Sequence, residues 1–148
     1  MADLRSLLDT PLDEIKVFTP YPGTYNTVLL SGKLGDPTTD KNGRAYQRMM
    51  LAAKLVAPTS DVGSEGTDAF NEQTEEIPVY FSKLIYGRND LASVGRLLGR
   101  LGVSIEGRSL EDALASIKGA GYEARALLEH REYQGEMRAE VKELLPIE

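Results

Sequence analysis

Arg44, Tyr46 and Arg48 recur at i, i+2 and i+4. On an extended strand, side chains two apart share a face, ~6–7 Å from one another. This spacing sets one aromatic ring between two guanidinium groups. Cations neutralise phosphates and a ring offers a π-face to a base, the two requirements for holding a single strand without sequence preference. Lys33 and Lys41 flank the same segment and Lys54 ends its face. Lys83, Tyr86 and Arg88 are expected to continue the surface from the next apolar run. Tyr25, Phe18 and Tyr80 read as core or rim packing, Phe81 as core, and Arg96, Arg100 and Arg108 as a solvated helical face.

Other chemistries lack parts. There is no cysteine and a single histidine, His130, which reads as structural. No Ser-His-Asp set, metal triad or phosphate-binding glycine loop can be assembled. The carboxylates of Asp61, Glu65, Asp68, Glu72, Glu75 and Glu76 lack the alternate-ligand spacing of a calcium loop. The expectation is a binding protein rather than an enzyme, with no catalytic residues, no metal and no cofactor.

Charge bears on the partner. The 148 residues carry a net −6. By segment, 1–32 carries −2, 33–60 carries +3, 61–82 carries −6, 83–108 carries +3 and 109–148 carries −4. Two basic segments that meet in space would form a basic groove on an acidic protein. There is no long apolar run and no basic, apolar leader at the start. With the absence of cysteine, this predicts a cytoplasmic protein without a membrane partner.

The elements that must position these residues follow from periodicity. Residues 1–14 read as a short polar helix or arm. Tyr21, Pro22 and Gly23 mark a turn, after which 24–34 alternates as a strand, with Gly32 signalling a bulge or bend. A polar loop, 36–43, leads to a long strand over 45–57, for which a helix is the rival reading because Met, Leu, Ala and Lys are good helix formers. Its Gln47, Met49, Leu51, Ala53 and Leu55 form the buried parity, and Arg44, Tyr46, Arg48, Met50, Ala52 and Lys54 the partly exposed one. Residues 58–76 read as a mobile, solvated acidic loop, and 76–86 as a third strand. Leu91, Val94, Leu98 and Leu101 fall at helical spacing between Asp90 as N-cap and Gly102 as stop, and a second helix is capped by Ser109. Two strands end the chain over 122–133 and 137–145, joined by Gln134 and Gly135. A simple hairpin there would set Glu129 against Glu140 and Arg131 against Arg138, so a bulge near the turn is expected.

Three strands, a helical segment and two strands is the order of the OB-fold, a five-stranded Greek-key barrel that is mainly β. The chain resembles the small phage-encoded single-stranded-DNA-binding proteins over roughly residues 20–146. The resemblance rests on Pro22-Gly23-Thr24-Tyr25, Lys41-Asn42-Gly43-Arg44-Ala45-Tyr46, Leu101-Gly102-Val103, Gly121-Tyr122 and Tyr133-Gln134-Gly135. It implies one OB-fold-like domain over 1–148 that binds single-stranded DNA in phage replication or recombination, in the host cytoplasm. Replication or recombination proteins would be further partners, and a homo-oligomer is compatible with it. The alternative reading is a protein-interaction or inhibitor module acting through its acidic surface.

Overall fold

The computed structural model describes residues 8, 9, 11, 12 and 18–147. Most of the expected N-terminal arm lies outside them. The chain runs β1 (Gly23–Leu34), β2 (Thr38–Thr39), β3 (Ala45–Pro58), a 3-10 turn (Ser60–Val62), α1 (Gly63–Asn71), β4 (Pro78–Ile85), α2 (Arg88–Arg100), α3 (Leu110–Ala115), β5 (Glu123–Tyr133) and β6 (Glu136–Leu145). The protein is mainly β: among the described residues there are one antiparallel, six-stranded sheet and three helices.

The sheet order is β2-β3-β1-β5-β6, with β4 also paired to β3. It is open. The expected five-stranded OB-fold-like barrel does not close: β4 and β6 approach one another without a ladder between them. A cavity of about 390 Å³ lies along that seam, between Phe81 and Ser82 of β4 and residues such as His130, Arg131 and Lys142 of the β5–β6 hairpin. The sixth strand, β2, is a two-residue pairing inside the polar loop.

β3 is the hub, since its length lets it pair β1 on one side and β4 on the other. Its alternation holds: Met49, Leu51, Ala53 and Leu55 are buried, with Gln47 half-buried at the end of the row. They meet Tyr25, Leu29, Val79, Ala124, Ala126 and Leu128 in one core. Burial of each large side chain contributes ~1.5–3 kcal/mol.

α2 covers this core with Val94, Leu97 and Leu98. It starts earlier than expected, at Arg88. Asp90 is not its cap: the carboxylate accepts the Tyr86 amide at 2.9 Å and ties the end of β4 to the helix. Gly102, at φ +91°, ends the helix with Val103 N donating to the Leu98 carbonyl. α3 is capped as expected, the Ser109 hydroxyl accepting from Asp112 N at 3.2 Å. β1 is irregular between Leu29 and Ser31, just before Gly32. A Cβ at Gly32 would stand 2.7 Å from Leu114 Cδ2, so glycine here is what lets the turn carrying Leu114 and Ile117 seat on the sheet.

Two further expectations need correcting. Residues 58–76 are not a structureless loop. Asp61 accepts from Thr24 N (2.9 Å), Thr24 Oγ1 (2.7 Å) and Thr59 Oγ1 (2.8 Å), anchoring the 3-10 turn to β1. Val62 and Gly66 are buried against Tyr21, and Phe70 packs on Tyr25 at 5.9 Å between ring centroids. These tertiary contacts hold a helix whose own sequence is a poor helix former. In the β5–β6 hairpin the like-charged pairs do face each other, Glu129 to Glu140 and Arg131 to Arg138, and the irregularity falls at Leu127/Leu128, away from the turn. Side-chain pairing relieves the repulsion: Arg131 reaches Glu140 at 3.4 Å, Lys142 reaches Glu129 at 3.1 Å and Arg138 reaches Glu136 at 3.5 Å. Gln134 and Gly135 both have positive φ, so the two-residue turn needs no bulge.

Candidate functional site

The site is built on the face of the β3–β4 ladder that points away from the core. Directly paired residues share a face, so Arg48 stands opposite Leu84, Met50 opposite Ser82, Ala52 opposite Tyr80 and Lys54 opposite Pro78. One step beyond Arg48, Tyr46 meets Tyr86 just past the end of β4, their ring centroids 5.4 Å apart and tilted by 43°. The Arg44 guanidinium lies 4.4 Å over the Tyr86 ring. Two rings and a cation therefore form one cluster.

Asp40 organises the loop beside it. Its Oδ1 accepts from Asn42 N and Arg44 N, both at 2.9 Å, an Asx-type turn that fixes where Arg44 leaves the loop. Its Oδ2 accepts from the Tyr86 hydroxyl at 3.1 Å. The Arg44 amide, with the Asn42 amide and the Tyr86 hydroxyl, holds the Asp40 carboxyl below its ordinary value against the opposing effect of burial. Tyr86 moves the other way: burial first, then its hydrogen bond to Asp40, push the phenol above its ordinary value. Arg44 thus covers one face of the Tyr86 ring, and the Tyr46 ring stands tilted beside it.

The cations expected at the site divide. Arg44, Arg48, Lys33, Lys41 and Arg88 are exposed. Lys33 sits opposite Met50 across the β1–β3 ladder, which puts it on the same face. Lys41 lies in the loop that Asp40 closes, and Arg88 starts α2 two residues after Tyr86. Arg48 donates to Ser82 Oγ at 3.4 Å, a long bond that leaves most of the guanidinium available. Lys54 is on the face, at its far end, and is paired with Glu76 at 3.2 Å. Lys83 is misplaced by the sequence reading. It pairs with buried Met49 on the core side of the ladder and donates to Ser93 Oγ of α2 at 2.7 Å. Its parity follows Phe81 and Ile85, which pack against the core.

Tyr80 errs in the opposite direction. Expected in the core or rim, it is 57% exposed on the outer face, and Met50 beside it is 37% exposed. Tyr25 is a core residue, its hydroxyl bonded to the Tyr21 carbonyl at 2.8 Å. His130 Nε2 stands 2.7 Å from the Pro20 carbonyl, tying the chain ahead of β1 to β5. Among the described residues no group of His, Asp and Glu side chains could hold a metal ion, and no helix is long and apolar enough to cross a membrane. No protein-family model matches the chain, and no curated protein is significantly similar to it.

Proposed function

We propose that this protein binds single-stranded DNA without sequence preference, as part of phage replication or recombination, on the outer face of β3 and β4. The observation that carries this reading is the cluster of Arg44, Tyr46 and Tyr86 with Arg48 and Lys33 beside it: rings and cations together on an open strand face. The sheet order supports an OB-fold-like arrangement, since β4-β3-β1-β5-β6 with helices between β4 and β5 is the Greek-key order of that fold. In this arrangement phosphates run along Arg44, Arg48 and Lys33 while bases stack on Tyr46. No covalent step is involved.

The test is fluorescence anisotropy with a labelled dT12 and a duplex of equal length. Affinity for dT12 should fall with salt at a log–log slope of roughly −0.7 per neutralised phosphate. Duplex should bind much more weakly, because paired bases cannot reach Tyr46. Equal affinity for the two, or no binding to either at low salt, overturns the reading and returns weight to the acidic surface of α1 as a protein-docking face.

A further inference from the structure

We infer that Tyr80 is a second stacking platform, so that the bound strand runs the length of the β3–β4 ladder instead of ending at the Tyr46–Tyr86 cluster. The inference rests on the single-strand reading above and deepens it. Tyr80 faces Ala52, whose methyl group is too small to cover a phenol ring, and so the ring stays 57% exposed. Its diagonal neighbour Met50 adds a second partly exposed apolar side chain. A Tyr and a Met left open to water on the sheet's edge ladder are a liability for aggregation unless a ligand uses them.

The surroundings fit that use. Going along β3 from Tyr46, the outer face presents Arg48, then Met50 with Lys33 across the ladder from it, then Ala52 under Tyr80, then Lys54. Rings stand at both ends and cations between and beyond them. At the far end Glu76 pairs with Lys54 where both side chains are substantially exposed, a weak contact that a phosphate can replace, while at the near end the Asp40 carboxylate is occupied by the Asn42 and Arg44 amides and the Tyr86 hydroxyl. Six residues of β3 separate Tyr46 from the level of Tyr80, roughly 20 Å at the strand's rise. About six nucleotides of a stacked strand, at ~3.4 Å each, cover that span. This lies within the ~4–16 nucleotides that single-strand-binding domains of this kind occupy.

The experiment is dT12 anisotropy on the full chain with Tyr80→Leu, Tyr80→Phe, Tyr46→Ala and the Tyr46→Ala/Tyr80→Leu double variant. Leu and Phe both keep apolar bulk at position 80, so neither should disturb folding, which circular dichroism will check. Tyr80→Leu should weaken binding about 5- to 150-fold, the span of one stacked base. It should leave the salt slope unchanged, and Tyr80→Phe should bind like the parent. The two sites are far enough apart for independent action, so the double variant's loss should be the product of the single losses. If Tyr46→Ala weakens binding and Tyr80→Leu does not, the second platform is wrong and the single-strand reading stands. A Tyr80→Phe loss as large as that of Tyr80→Leu would also overturn stacking, in favour of a hydroxyl contact. Failure of the parent to bind dT12 removes both.

Discussion

Tyr46 and Arg48 are neighbours on one face of β3, yet under the proposed single-strand reading they would act on the ligand through different forces. A ring contributes by stacking, which salt barely touches, whereas a guanidinium contributes by releasing counterions from phosphate. Tyr46→Ala should therefore weaken dT12 binding by ~1–3 kcal/mol at every salt concentration. Arg48→Ala should flatten the log–log salt dependence by about 0.7, one phosphate on a single strand. Anisotropy titrations across a series of NaCl concentrations separate the two. A Tyr46→Ala effect that vanishes at high salt would show that the ring positions cations rather than bases. Lys83 gives the contrast: its ammonium is committed to Ser93, on the side of the ladder away from this face.

The anchored acidic segment is where elements, rather than single residues, decide stability. Asp61 joins β1, the end of β3 and the 3-10 turn through hydrogen bonds from Thr24 and Thr59. The Thr24 amide, aided by the two hydroxyls, holds its carboxyl below the ordinary value of about 3.9. A depressed native value means stability that is fully present above the unfolded-state pKa. That stability is lost as pH falls through the native one, and Asp40 contributes with the same sign. Thermal unfolding should thus show a Tm that declines below about pH 4, less steeply in Asp61→Asn. At neutral pH, Asp61→Ala should cost about 1–2 kcal/mol in a denaturant titration. An Asp61→Ala protein as stable as the parent would mean that α1 is held by Val62, Gly66 and Phe70 alone. This segment was also the least legible in the sequence. Gly63, Gly66 and Thr67 discourage a helix, and the contacts that override them come from Tyr21, Thr24 and Tyr25, distant in sequence, as with Thr24 and Asp61, 37 residues apart. Strands β1, β3 and β5 were legible because each buries one parity, whereas in β6 the expected row fails at Met137, which is 53% exposed. The Tyr46 and Arg48 face was legible for the same reason, since both belong to β3 and Arg44 stands just before it. Lys83 and Tyr80 were misread because their faces are set by the register of β4 on β3, and alternation within β4 alone is ambiguous where Pro78, Phe81 and Ile85 surround them.

At the scale of the whole molecule, the proposed function would have an acidic protein hold an acidic ligand, so the placement of charge matters more than its sum. α1 and the segment after it carry Asp68, Glu72 and Glu75, all exposed, close in sequence to the Glu76 that pairs with Lys54. Replacing Asp68, Glu72 and Glu75 with their amides should tighten dT12 binding at low salt. The gain should fade at high salt, because exposed charges are screened within ~10 Å at 0.1 M. An unchanged affinity at low salt would place these carboxylates too far from the β3–β4 face to act on it. The joint between helical layer and sheet has a consequence of another kind, for the descent of this sequence. Gly32 leaves a notch that Leu114 fills, with 2.7 Å between the leucine and any methyl that mutation might place there. Overpacking of this sort destabilises. A lineage that enlarges position 32 must therefore shift or trim Leu114, and trimming it first spares the intermediate protein that overpacking.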